Sequence, residues 1–264
     1  FGPVDDGRIK PNLVAKGNFV YSAFGEYEVE DDYGLANGTS MATPAITGAI
    51  LLLQQHYNNL YEEYMNSSSV RGLLQNTTME AGYYPGPDYR YGWGLPNIEV
   101  AAQLISDSKD GNAVLEENTL QNGQSYTKIV TVDGTKPLIV SISWTDPMGP
   151  INEDDMAIVD WDQKALVNDL DVRVTDEAGV TYYPWKLDAK NYTAPATKGD
   201  NEVDNFERID IPEASGTYTV TVTHKGTLVE EYGSEDAYHQ DYTLIVSNNS
   251  GGGISIEENN AEQI

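Results

Sequence analysis

The strongest constraint on the fold is a change of hydrophobic period near residue 106. Before it, the stretch Ala45-Ile46-Thr47-Gly48-Ala49-Ile50-Leu51-Leu52-Leu53 continues to Tyr57 as an apolar run too long for an ordinary strand. It reads as a helix over 45–57, and a second helix is expected over 98–105. Residues 106–112 are polar and break that pattern. Short β-branched and aromatic runs follow at 126–132, 138–145, 170–175, 181–185, 206–211, 217–224 and 242–247. Asp133-Gly134, Ala178-Gly179 and Ser215-Gly216 are expected as turns between them. Thr217-Tyr218-Thr219-Val220-Thr221-Val222-Thr223 alternates as a half-buried strand should. Repeated short strands without helices predict an all-β sandwich of jelly-roll type. The expected organisation is a helix-bearing front part at 1–107, a β-sandwich at 108–249, and a flexible tail at 250–264.

Immediately ahead of the long apolar run stands Asn37-Gly38-Thr39-Ser40-Met41-Ala42-Thr43-Pro44. Small residues before Ser40 allow a sharp turn and close approach of a substrate. Pro44 falls near the first helical turn, where a missing N–H matters least. Ser40 is therefore expected at a helix N-terminus, where free amides and the positive dipole end can stabilise a developing oxyanion. The ordinary role of a serine at such a place is an N-cap, and position alone leaves both roles open.

The wording Gly38-Thr39-Ser40-Met41-Ala42-x-Pro44 resembles the nucleophile signature of the subtilases, the subtilisin-like serine peptidases. It is not the G-x-S-x-G elbow of α/β-hydrolases, because Ala42 takes the last position. Lys10-Pro11-Asn12-Leu13-Val14-Ala15-Lys16-Gly17 is similar to that family's segment before the nucleophile, with Asn12 and Lys16 replacing an acidic residue and a proline. Tyr91-Gly92-Trp93-Gly94-Leu95-Pro96-Asn97 and Val100-Ala101-Ala102 resemble its G-x-G turn and closing helix. The resemblance covers roughly residues 1–105. It implies part of an α/β catalytic domain, in which a parallel sheet surrounds a buried nucleophile helix. It also implies Ser40 as nucleophile, the Ser40 backbone N–H as half of an oxyanion hole, and protein or peptide substrates.

A serine hydroxyl needs a base, and the base an orienting partner. The only histidines, His56, His224 and His239, all follow Ser40, whereas subtilisin places its Asp and His before its Ser. His56 would stand about 24 Å beyond Ser40 along one helix axis, and His224 and His239 fall in the β-rich region. The catalytic Asp, the His and the oxyanion-hole Asn are thus expected upstream of Phe1. The chain reads as the C-terminal portion of a longer protease that is inactive alone, with the upstream part of the same domain as its partner. A pseudoenzyme is the other reading, with 113–248 gripping protein or glycan through aromatics such as Tyr182, Tyr183 and Trp185.

The chain carries 42 Asp and Glu against 15 Lys and Arg, a formal net charge of −27. That field repels phosphates and anionic membranes, so nucleic acid is excluded as a partner. No apolar run approaches the roughly 20 residues of a membrane span. Cysteine is absent, which removes disulfides and thiolate metal sites. The acidic excess concentrates beyond Ile105, where the net charge is −20. Most of it is expected to be solvated surface, with a few carboxylates holding a structural Ca²⁺.

Ile142-Ser143-Trp144-Thr145-Asp146-Pro147 and Leu166-Val167-Asn168-Asp169-Leu170-Asp171-Val172 look like the β-domain that follows the catalytic domain in one subtilase branch, a domain similar to the P-domain of proprotein convertases. Asp146, Asn168, Asp169, Asp171 and Asp204 are the expected Ca²⁺ ligands, with Asp188, Asp200 and Asn201 on neighbouring loops. The same residues could instead make Asx-turns and a solvated rim. Ser250-Gly251-Gly252-Gly253 reads as a linker. Ile254-Ser255-Ile256-Glu257-Glu258-Asn259-Asn260 resembles the lead-in to C-terminal sorting domains of type IX secretion in Bacteroidetes. That resemblance implies a secreted or cell-surface protein that continues beyond Ile264.

Overall fold

The computed structural model describes residues 1–23, 33–134, 136–151, 162–248 and, as backbone, 254–257. The front part comprises β1 (Val20–Ala23), β2 (Tyr33–Ala36), α1 (Thr39–Tyr61), α2 (Ser67–Asn76), β3 (Thr78–Met79), β4 (Leu95–Pro96) and α3 (Ile98–Lys109). The rest comprises β5 (Val114–Gln121), β6 (Tyr126–Asp133), β7 (Leu138–Trp144), β8 (Asp169–Asp176), β9 (Thr181–Tyr182), β10 (Trp185–Lys186), β11 (Thr197–Lys198), β12 (Phe206–Ile211), β13 (Ser215–Lys225), β14 (His239–Ser247) and β15 (Ile254–Glu257).

Two antiparallel sheets, ordered β12-β7-β14-β5 and β15-β6-β13-β8-β9, enclose one apolar core. β13 follows its sequence pattern: Tyr218, Val220 and Val222 point into that core, while the intervening threonines face outward. Trp144 is fully buried within it and donates Nε1–H to the Asn168 carbonyl at 3.0 Å. The run expected as one strand at 181–185 is two short strands, since Pro184 cannot donate to a ladder. Ser215-Gly216 opens β13 rather than making a turn, and β5 and β15 are strands the sequence did not announce. The expected linker at 250–253 lies outside the described residues, but 254–257 pairs with β6, from Ile254 opposite Val132 to Glu257 opposite Ile129.

Every residue of β7 is buried because both faces of its sheet are covered. Leu138, Val140, Ile142 and Trp144 face the sandwich, while Ser141 and Ser143 meet α2. Gly72 of α2 lies so near that an added Cβ would stand 3.0 Å from that of Ser143. The seam is mostly polar. Ser68 and Ser69 pair with Thr243 at 3.0 and 2.8 Å, and Asn76 donates to Ser141 at 2.8 Å and accepts from Ser247 at 3.0 Å. Arg71 crosses it to the Asn205 carbonyl at 3.1 Å and to the Trp144 carbonyl. An apolar patch alongside, Leu53, Leu73, Leu104, Ile105, Leu115 and Ile245, draws on both parts of the chain.

Two features of the front part differ from expectation. Among the described residues its strands form only two-stranded antiparallel pairs, β1 with β2 and β3 with β4, so no parallel sheet is present. Nor is α1 a buried helix: α3 covers one flank, Leu53 is its one buried residue, and Leu51 and Leu52 are 67% and 64% exposed. No described element lies over that apolar flank.

Candidate active site

Ser40 is the second residue of α1 and is exposed. It is not the N-cap. Gly38 holds that place with φ 147°, a conformation open to glycine and strained for any L side chain. The Gly38 N–H donates to the Gly17 carbonyl at 2.7 Å, and the Asn37 side chain accepts from the Phe19 amide at 2.6 Å. The turn before the serine is thereby fixed to residues 17–19. Thr39 and Ser40 amides belong to a first helical turn, whose N–H groups lack intrahelical acceptors. The arrangement offers a solvent-facing hydroxyl beside outward amides at the positive end of a 23-residue helix.

The segment leading to this turn is clamped from both sides. Trp93 N–H donates to Asn12 O at 2.9 Å and Val14 N–H to Gly94 O at 3.1 Å. Gly92 cannot be anything larger, because a Cβ there would stand 2.0 Å from the Pro11 carbonyl oxygen. Asn12, where the subtilase resemblance leads one to expect an acidic residue, accepts from Lys10 Nζ at 2.6 Å. From the sandwich side, the Asp204 carboxylate accepts from the Ile9 amide at 2.8 Å, and Trp93 meets Phe206 edge to face at 4.9 Å. A cavity of about 580 Å³ opens between this segment and the start of α1, lined by Pro11, Leu13, Val14, Thr39, Ala42 and Ile46 among others.

No described group activates Ser40. His56 bonds Ser106 Oγ at 2.9 Å through Nε2. His224 Nε2 accepts from the Gly123 amide at 2.7 Å, and the His239 ring stacks on Tyr238 at 4.2 Å. All three histidines are thus committed elsewhere in the fold.

The five residues expected to hold Ca²⁺ do not converge. Asp146 accepts from the amides of Val167 and Asn168 at 2.7 and 2.8 Å, and burial pushes its carboxyl up to about 6. Asn168 bonds the Val229 amide and carbonyl and the Gln240 side chain. Asp204 spends its oxygens on Ile9 N–H and Asn201 Nδ2, and burial raises it to about 6. Asp171 instead gathers with Asp200 and the fully buried Glu207, a residue the sequence did not single out, and Asp169 shares the Lys225 ammonium with them. Arg173 and Lys225 reach into that second group, and both meet the Oδ1 atoms of Asp171 and Asp200.

The aromatic trio considered for glycan contact is also committed. Tyr182 meets Tyr218 at 6.2 Å, the Arg173 guanidinium lies 4.9 Å above Tyr183, and Lys198 Nζ lies 3.5 Å from the centre of the Trp185 ring. The backbone of Gly86 closes on that same indole.

Comparison with known proteins places residues 1–94 in register with the subtilase family. Pyrolysin of Pyrococcus furiosus is 33% identical over 111 residues, which is 39% of this chain and 8% of pyrolysin. Subtilisin DY of Bacillus licheniformis is 36% identical over 91 residues, 34% of this chain and 28% of that protein. An extracellular serine protease of Serratia marcescens is 30% identical over 95 residues, covering 36% and 8%. The front of the chain, residues 1–94, is therefore similar to the subtilase family and to these proteases. The aligned stretches span between 8% and 28% of the length of these three relatives. Among the described residues no helix is long and apolar enough to cross a membrane.

Proposed function

We propose that the chain is the C-terminal portion of a secreted subtilisin-like serine endopeptidase, with Ser40 as the nucleophile toward protein or peptide substrates. The observation that carries this reading is Ser40 itself: exposed, in the first turn of α1, behind a glycine at φ 147°. The Ser40 hydroxyl attacks the scissile carbonyl, and its backbone N–H supplies one donor to the oxyanion. The proton acceptor, its orienting Asp and the second oxyanion donor come from an upstream part of the same domain. That part also covers Leu51 and Leu52 and supplies the parallel sheet. Without it the chain has no peptidase activity.

The boundaries at 107 and 249 belong to the same proposal, with residues 108–249 forming a jelly roll that supports the catalytic part. Counted from β5 and passing over β10, β11 and the added edge strand β15, the sheet orders are first-eighth-third-sixth and second-seventh-fourth-fifth, which supports that topology. Extracellular relatives support export, with the tail as the lead-in to a sorting domain. The test is labelling with a fluorophosphonate probe. A full-length protein carrying the upstream segment should form an adduct at Ser40 that S40A abolishes, while the 264-residue chain forms none. Serine-dependent casein hydrolysis by this chain, or full-length protein that hydrolyses casein without a Ser40 adduct, would refute it.

A further inference from the structure

Among the described residues, the carboxylates that gather most tightly lie on β8, on β12 and in the loop before β12. One oxygen each from Asp171, Asp200 and Glu207 lie within 4.8 Å of one another, with Asp169 beside them. Glu207 is fully buried and its Oε1 has no partner, and the buried Oδ1 of Asp169 has none either. Oxygens so placed are what a divalent cation recruits, since Ca²⁺ takes six to eight of them at 2.3–2.6 Å. Here the oxygens such an ion would need first are occupied. Lys225 Nζ stands 2.7 Å from Asp200 Oδ1, 3.2 Å from Asp171 Oδ1 and 3.7 Å from Asp169 Oδ2. Arg173 Nη2 meets the same two oxygens of Asp200 and Asp171 at 2.6 and 2.7 Å.

Strand register puts the ammonium there. In the β13–β8 ladder Lys225 pairs with Asp169 and Thr223 with Asp171, so the last residue of β13 reaches across the end of the acidic strand. Lys164 adds a third cation, 3.0 Å from Asp169 Oδ2. Asp169, Asp171 and Asp200 thus face three protein cations, and Arg173 Nη1 also lies 3.6 Å from Glu207 Oε2.

We infer that this cluster is a divalent-cation site plugged by Lys225, whose ammonium takes the ion's place beside Arg173. The native sandwich then neither requires nor binds Ca²⁺, and removing the ammonium opens a site for it. The test uses the whole 264-residue chain and Ca²⁺ or Tb³⁺ as the probe. Wild type should melt at the same temperature in Ca²⁺ and in EGTA at low ionic strength, with no saturable Tb³⁺ luminescence. K225M should melt lower than wild type in EGTA. It should gain about 5–10 °C at Ca²⁺ a hundredfold above its dissociation constant, with a Tb³⁺ signal that Ca²⁺ displaces and that D200N in the same background abolishes. K225R, which keeps a cation, should stay insensitive. A wild-type chain whose melting temperature falls in EGTA and which binds Tb³⁺ saturably would overturn the proposal whatever the variants do. So would folded K225M that binds neither ion.

Discussion

Replacing Arg71 by methionine isolates the contact that joins the front helices to the sandwich. Methionine keeps the apolar stem and removes every donor. In the native seam the guanidinium donates to the Asn205 carbonyl at 3.1 Å, to Ser143 Oγ at 3.2 Å and to the Trp144 carbonyl. A bond from a charged donor contributes about 1.5–3 kcal/mol, so three such bonds set a generous ceiling. Two features lower it. The Trp144 carbonyl still accepts from Asn205 Nδ2 at 2.9 Å, so it is not orphaned when the arginine leaves. Desolvation also disfavours the buried guanidinium, lowering its pKa from the ordinary arginine value. The expected loss is about 2 kcal/mol, or roughly 4–8 °C in melting temperature for a domain of this size. R71K, which cannot fork between acceptors, should fall between the two. Urea unfolding followed by near-ultraviolet circular dichroism reports the sandwich core around Trp144, and the far-ultraviolet signal reports the helices. Both should move together, because α2 and Ile245 of β14 share one seam. An R71M chain within 0.5 kcal/mol of wild type, or wild-type helices that melt before the Trp144 signal changes, would refute the coupling.

Three further outcomes follow from named contacts. Leu244→Ala, at a fully buried position between the sheets, should lower stability by about 2–5 kcal/mol through lost burial and a residual cavity, measured by urea titration. Gly92→Ala should abolish soluble folding or cost several kcal/mol, since its Cβ would meet the Pro11 carbonyl oxygen at 2.0 Å; a well-folded variant in heteronuclear NMR would contradict the packing. Asp204, raised to about 6 by burial, binds its proton more tightly folded than unfolded, where a carboxyl titrates near 3.9. Its contribution is therefore greatest at low pH and falls as pH rises from about 4 to about 6, by on the order of 2–3 kcal/mol, then levels off. Urea midpoints of D204N across that window should be flatter than those of wild type.

What the sequence disclosed depended on whether one face or two faces of an element are covered. β13 alternates because one face meets the core and the other solvent, and its period is plain in Thr217 to Thr223. β7 has both faces covered, yet its serines mark the side turned to α2, a side that chain order alone cannot assign. β5 escaped because Glu116, Glu117 and Asn118 interrupt its apolar positions. Those acids are used across the fold: Glu117 accepts from the Asn66 amide at 2.8 Å and from Ser69, and Glu116 pairs with the nearly buried Lys128. Ser40 was legible because a motif and a helix start coincide in sequence. The acidic cluster was legible only in kind. Which carboxylates meet, and that Lys225 sits among them, follows from the β13–β8 register and from the return of the chain through Asp200, neither of which leaves a local signal.

The sandwich does more than sit beside the proposed nucleophile. From Asp204 the contacts run to the Ile9 amide, then along residues 10–14 between Trp93 and Gly94, then through the Gly17 carbonyl to the Gly38 amide, two residues before Ser40. Each link is a backbone group held by a specific partner, and none depends on a histidine or an upstream strand. The turn that presents Ser40 is thus determined by contacts within this chain. Orientation of a nucleophile and its activation are separable parts of catalysis, the first a matter of geometry and the second of proton transfer. If the proposed function holds, the chain should gain labelling of Ser40 when an upstream subtilase segment is supplied in trans. D204N should then slow that labelling while leaving the S40A chain's stability difference from the D204N/S40A chain the same as in the unmutated background. Equal labelling rates for D204N and wild type would show that the sandwich holds up the fold without setting the serine.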